Sequence, residues 1–242
     1  YSGNVSVIDG VTNAVVGTVP LTFPPVALAI NPTTNRVYVA NTDSSNNGYV
    51  SVIDGTSNLV MATVPVGLNP NALAVNPSSN RIYAANHGSG TISVIDGVTS
   101  AVVATVPISQ PVAITANPTT GHLYAASANS SSISVIDGAT NSLITTVPVG
   151  NTPQGMAVNP TTNRIFVANS GDDTVSVIAD GPQTQSVGGI AEQPALTALP
   201  SATTASSRDY TPYILGAAVL FLAAAGAEGW RRRRNIDEES SG

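Results

Sequence analysis

VSVIDGVTNAVVGTV occupies residues 5–19 and returns as VSVIDGTSNLVMATV (50–64), ISVIDGVTSAVVATV (92–106) and ISVIDGATNSLITTV (133–147). A fifth copy, VSVIADG at 175–181, is altered at its turn. The aspartates of this motif, Asp9, Asp54, Asp96 and Asp137, follow one another at steps of 45, 42 and 41 residues. A second landmark keeps the same beat: the Asn-Pro pairs at Asn31, Asn76, Asn117 and Asn159 step by 45, 41 and 42. The longer first step has one source, because NTDSSNNGYVS (41–51) carries three more residues than NHGSGTIS (86–93). An insertion confined to one polar Asn/Ser/Gly stretch is what a surface loop tolerates. Self-similarity at this period announces a repeat architecture.

Each repeat holds four short segments. In one copy they are ALAV (72–75), RIYAAN (81–86), TISVID (91–96) and AVVATV (101–106). All are rich in β-branched residues and alanine, and all are too short for a helical repeat. Between them stand Asn-Pro, Asp-Gly and Gly/Ser clusters, which is turn chemistry. Four strands recurring every ~40–45 residues select a β-propeller, one four-stranded blade per repeat. One small sheet cannot bury both faces, so stacked blades must cover each other. The adjacent Val and Ile of SVID suit strands covered on both sides.

The words YVAN (38–41), YAAN (83–86), YAAS (124–127) and FVAN (166–169) stand in register with the Asn-Pro turn before them and the VID-G turn after the next strand. Over about residues 1–182 the chain resembles the YVTN family of β-propeller repeats. The resemblance implies the fold and a surface or secreted setting, commonly as a seven-bladed ring. It implies almost nothing about activity. Strand counting gives two strands in 1–20, full blades at about 24–66, 70–108 and 111–149, and three strands in 153–178. That is about four and a half blades. We expect the C-terminal part of a longer ring; the competing expectation is a small ring closed by its own ends.

The chain has 242 residues, is 42% hydrophobic and carries only 9% charged residues, against about 25% in an average domain. It has no Lys, and four of its eight Lys+Arg residues are Arg231, Arg232, Arg233 and Arg234. A net charge of −6 with no other basic cluster gives no nucleic-acid footprint. There is no Cys, so disulfides and thiolate metal sites are excluded.

After Gly181 the repeat stops. Residues 183–209 have the Ser/Thr/Ala/Pro composition of a flexible linker, spanning about 30 Å root-mean-square. YTPYILGAAVLFLAAAGAEGW (210–230) follows. Its length matches the ~20 residues that cross a bilayer. Tyr213 and Trp230 sit where interfacial aromatics belong, and the Arg run fits the positive-inside rule. The competing reading is a buried globular helix. A membrane-spanning helix predicts 231–242 as a cytoplasmic tail, with the propeller outside the cell membrane. The layout also resembles a sortase-type sorting signal, but LPSAT (199–203) lacks the Thr and Gly of Leu-Pro-x-Thr-Gly.

The chemistry-bearing residues are few. His87 and His122 are the only histidines and occupy different repeat positions; both read as solvated loop residues, and no metal or other cofactor is expected. Asp9, Asp54, Asp96 and Asp137 could suggest calcium, but one carboxylate per turn falls short of the six or more oxygens such a site needs. They read as turn caps, with the following Gly taking positive φ. Arg36, Arg81 and Arg164 share one repeat position and are expected to pair with a turn Asp. Positions following the blade-opening prolines, Val26, Asn71, Val112 and Gln154, should line the innermost strands. None ionises, which argues against catalysis in these blades.

The loops that vary while the strands repeat are the best internal sign of a recognition face. Their candidates are Asp43, Asn46, Asn47, Tyr49, Asn71, His87, Gln154, Asp172 and Asp173. The expected function is therefore a membrane-anchored surface propeller for binding, adhesion or envelope scaffolding, without catalysis, its partner a surface protein or glycan. The alternative is an extracytoplasmic propeller enzyme, lactonase- or lyase-like, whose site lies in blades outside this chain.

Overall fold

The computed structural model describes residues 3–181. The linker, the candidate span with Tyr213 and Trp230, and the Arg231–Arg234 run lie outside the described residues. Among the described residues no helix is long and apolar enough to cross a membrane.

Among the described residues, seventeen strands form five antiparallel sheets. β1 (Asn4–Ile8) pairs with β2 (Val15–Pro20) as a hairpin. Three four-stranded blades follow: β3 (Pro25–Asn31), β4 (Arg36–Thr42), β5 (Gly48–Asp54) and β6 (Leu59–Val66); β7 (Pro70–Asn76), β8 (Arg81–Asn86), β9 (Thr91–Asp96) and β10 (Val102–Pro107); β11 (Pro111–Ala116), β12 (His122–Ser127), β13 (Ser132–Asp137) and β14 (Ser142–Pro148). A last sheet holds β15 (Pro153–Asn159), β16 (Arg164–Asn169) and β17 (Thr174–Ala179). Each sheet is a simple meander, as short turns between neighbouring strands demand.

Period-two alternation divides each blade into two apolar faces. The forward face of the second blade (Tyr83, Ala85, Ile92, Val94, Val106) packs on the rear face of the third (Ile114, Leu123, Ala125, Ile136). The first and second blades repeat that contact through Tyr38, Val50 and Val52 against Ile82, Ala84 and Ile95. The third and last repeat it through Tyr124, Ile133 and Val135 against Ile165, Val167 and Ile178. Each large aliphatic buried here contributes roughly 1.5–3 kcal/mol. The core is therefore a series of equivalent layers between neighbouring blades, and the repetition of SVID is the repetition of this interface.

The turns correct one expectation. Asp9, Asp54, Asp96 and Asp137 each accept two backbone N–H bonds through Oδ1, for example from Thr56 and Ser57 at 3.1 and 2.7 Å. Positive φ, however, falls on Asn13, Asn58, Ser100 and Asn141 (55° to 58°), not on the Gly of Asp-Gly. That glycine is required for proximity. Its N–H bonds the turn between the first two strands, as in Gly97 to Asn80 O at 2.9 Å. A Cβ at Gly97 would lie 2.3 Å from Asn80 Oδ1 and 2.7 Å from its carbonyl oxygen.

The outer and inner strands carry a second regularity. Register shifts leave one bulged residue in β3, β7, β11 and β15, namely Val26, Asn71, Val112 and Gln154. The outermost strands bulge at Val16, Met61, Val103 and Ile144. Bulges and terminal prolines blunt exposed sheet edges.

Candidate functional site

Two families of loops meet on one end of the stack: the connections between blades and the connections between second and third strands. Backbone bonds tie them together. Asn69 N donates to Asn46 O at 3.1 Å, His87 N to Asn69 O at 3.0 Å, and Ser170 N to Thr152 O at 3.0 Å. The two loop families are thus joined by main-chain bonds at this end.

Its polar residues are largely engaged with each other. Asp43 accepts bonds from Ser45 N, Asn47 N and Asn47 Nδ2 at 2.8–2.9 Å. Asn46 stands at φ +67°, closing the same loop. Tyr49 stacks on Phe23, ring centroids 4.5 Å apart. Asp172 accepts from Asn151 N and Nδ2, both at 2.7 Å, and Asp173 takes φ +55°. The Asn47 side-chain bond is the main reason that the Asp43 carboxyl is held below its usual range, and bonds from Asn151 do the same for Asp172. Such carboxylates stay ionised and make weak bases at neutral pH. Asn71 is half-buried on β7 and Gln154 is exposed on β15, both as bulged residues. His87 lies in the loop after β8. These candidates span the loop face without converging on a point, and among the described residues no cluster of His, Asp and Glu could hold a metal ion.

The motif asparagines were not among the candidates, yet they stitch this end. Asn86 Nδ2 donates to Thr91 Oγ1 and Ser93 Oγ at 3.2 and 2.9 Å. Asn169 does the same to Thr174 and Ser176 at 3.1 and 2.9 Å. Asn41 accepts from Ser51 Oγ at 2.8 Å and donates to Phe23 O at 3.0 Å.

The opposite end overturns the reading of His122 as a solvated loop residue. It lies on β12, 3% exposed, with Nδ1 2.8 Å from Asp180 Oδ1. Asp180 also accepts from Asn117 Nδ2 at 2.8 Å and from Thr120 Oγ1. The physical reason is a paired departure. His122 replaces the Arg of other blades, and in the altered fifth copy Asp180 takes the place of the turn Gly. Asp180 keeps the Gly backbone bond, to Asn163 O at 2.8 Å, while its side chain supplies the counter-charge. The hydrogen bond to Asp180 raises the His122 pKa against the opposing effect of burial. Burial would raise the Asp180 pKa, but bonds from His122 and Thr120 outweigh it and hold that carboxyl below its ordinary range. Burial beside this carboxylate pushes the Tyr124 hydroxyl far up. A buried cluster of this kind, joining β12 to the turn after β17, locks two blades together.

The arginines follow three courses. Arg81 pairs with Asp96 of its own blade, which sits at a pKa of about 2, chiefly through the Thr99 and Val98 backbone bonds. Arg36 instead donates to the Gly97 carbonyl of the next blade, a correction to the expected Asp partner. Arg164 is exposed at the last blade, where Ala179 rather than an Asp stands opposite in register.

No family model matches the chain, and no curated protein matches it. Solved structures do. Hydrazine synthase of Kuenenia stuttgartiensis matches at 22% identity and a TM-score of 0.57, over 68% of this chain and 48% of that one. A functionally unknown protein from Desulfotomaculum acetoxidans matches at 15% identity and 0.60, over 69% and 55%. The dihydro-heme d1 dehydrogenase NirN, in complex with DHE, matches at 17% identity and 0.62, over 83% and 41%. The chain spans about half the length of these proteins. The likeness, with the blade geometry, shows a β-propeller-type fold.

Proposed function

We propose that this chain is a cell-surface propeller segment of the YVTN type, tethered by the apolar segment 210–230, that binds or scaffolds rather than catalyses. The observation that carries the reading is the division of labour along each repeat. Strands and turns are nearly invariant, whereas the loop face varies and offers neutral amides, hydroxyls and one stacked Tyr49–Phe23 pair. The innermost positions Val26, Asn71, Val112 and Gln154 provide no acid or base. Asp43 and Asp172 already spend their oxygens on loop amides. Such a surface suits recognition of a glycan or an extended protein segment by hydrogen bonding and aromatic stacking.

The test is binding of the full chain, in nanodiscs, to envelope polysaccharide and surface-protein fractions. Asn47→Ala with Tyr49→Ala should weaken binding at least about tenfold, roughly 1.4 kcal/mol, while the circular dichroism of the blades stays that of the wild type. Undiminished binding by that variant would remove the loop face from the account.

The second reading is an extracytoplasmic propeller enzyme whose reactive residues belong to other blades. Two of the structural relatives carry enzyme names, which supports it weakly. Turnover of lactone or polysaccharide substrates by the full chain would favour it.

A further inference from the structure

Asn4, Asn31, Asn76, Asn117, Asn129 and Asn159 each stand in the pattern Asn-x-Ser/Thr. In Asn31, Asn76, Asn117 and Asn159 the middle residue is the proline of the repeat's Asn-Pro turn, and proline there cancels an N-glycosylation sequon. Two complete sequons are left, Asn4-Val5-Ser6 and Asn129-Ser130-Ser131. The fold sets them apart. Asn4 opens β1, half-buried, with its backbone in the ladder opposite Pro20. Asn129 is exposed in the β12–β13 connection, on a single 3-10 turn (Ala128–Ser130), and Ser131 follows in the left-handed region at φ 44°. Asn129 Nδ2 donates to Oε1 of Gln110, and Ser131 Oγ donates to Asn151 Oδ1 at 3.0 Å. Both acceptors belong to exposed side chains, so water can replace either bond. The turn asparagines differ: Asn31 Nδ2 is committed to Asn80 Oδ1 and Asn117 Nδ2 to Asp180 Oδ2, each at 2.8 Å, and both asparagines are fully buried. The loop is distinctive too. Its counterparts in the other blades carry Asp43, His87, or Asp172 and Asp173, whereas SANSSS (127–132) holds only small, uncharged side chains.

We propose that Asn129 is a modification site, the acceptor of an N-linked oligosaccharide delivered by a transferase from a lipid-diphosphate sugar donor. In the transfer, Nδ2 of Asn129 forms a bond to the anomeric carbon of the first sugar. The bond from that carbon to the diphosphate oxygen breaks, and the lipid diphosphate leaves with the electron pair. Nδ2 gives up one proton to a base of the transferase, and nothing is oxidised or reduced. The product keeps one N–H on Nδ2, so the bond to Gln110 can re-form beside the sugar. A bulky, solubilising group fits a surface loop, and here it extends into water from an exposed side chain without displacing a core residue. Asn4 is a poorer acceptor because its triad lies in a paired strand rather than a loop. This assignment rests on the surface display proposed above, since lipid-linked donors present their sugar on the non-cytoplasmic side of a membrane.

The test is mass spectrometry of chymotryptic peptides covering 125–137, from the full chain purified out of the membranes of its native cells. The expected mass exceeds that of the bare peptide by a whole number of sugar residues, with sugar fragment ions on collision. Asn129→Gln, a change at an exposed side chain, should lose the modification completely. Ser131→Ala should lose it too, because the transferase reads the hydroxyl of the sequon, whereas Asn4→Gln should keep it. A bare Asn129 would overturn the assignment, as would sugar that survives Asn129→Gln on the neighbouring serines. External protease on the same cells separates this site from the reading beneath it. Bare Asn129 with digested repeats removes the site alone; bare Asn129 with protected repeats removes surface display as well.

Discussion

Position 122 shows how one side chain can be misread from a single repeat and understood from two. Beside LYAAS, His122 stands for Arg and reads as solvated; it is buried because Asp180, fifty-eight residues later, departs from its own repeat in the complementary way. A buried ion pair that loses one member leaves the other charge unpaired, at a cost of about 3–5 kcal/mol. His122→Ala should therefore lose roughly 3 kcal/mol, whereas Arg81→Ala, at a partly exposed pair, should lose at most about 1 kcal/mol. The pH dependence follows from the directions of the two shifts. The His122 part is fully present below the ordinary imidazole value of 6.5 and is lost as pH rises through the raised folded value. The Asp180 part is present above 3.8 and is lost as pH falls through the lowered folded value. Urea melts across pH should show greatest stability between about 4 and 6.5, and Asp180→Asn should flatten the alkaline limb. An unchanged limb would detach this pair from the stability of the stack.

At the scale of the element, the strands were legible because alternation and β-branching survive in every copy. The blade limits read from turn residues differ from β3–β14 by about a residue. Less legible was why each turn residue is there. A sequence shows Asp-Gly, and positive φ is the usual reason for Gly. Here the left-handed residue is the Asn or Ser three places later, and Gly makes room for a neighbouring backbone that no local pattern reveals. This separates two otherwise identical substitutions. Gly97→Ala drives a Cβ into Asn80 and should cost about 1–3 kcal/mol. Gly10→Ala meets nothing within 4 Å, because among the described residues no inner strand pairs with its hairpin, and should be nearly neutral. Equal costs, measured by thermal melts, would mean that glycine acts through conformation after all. The bulges at Val26, Asn71, Val112 and Gln154 were also invisible in the sequence, since a bulge is a property of two strands in register.

Across the whole molecule, stability is a sum over equivalent layers, and the two end faces differ from the middle. On the rear face of the first blade, Val26 and Ile30 are 52% and 50% exposed, because the β1–β2 hairpin covers only the outer half through Val5, Val7 and Val19. On the forward face of the last described blade, Phe166 and Val175 are 38% and 54% exposed. The candidate recognition face was legible as variable loops, but the part those residues play in bonding one loop to another needed coordinates. The central claim is a propeller displayed outside the cell on a single span. It is tested by adding protease to intact cells that make the full chain with an epitope after Gly242. The account predicts that repeat-derived antigen is lost from outside while a tail fragment of about residues 205–242 remains membrane-bound and protected. Recovery of the full chain in the soluble fraction, or a digested tail with protected repeats, would contradict it.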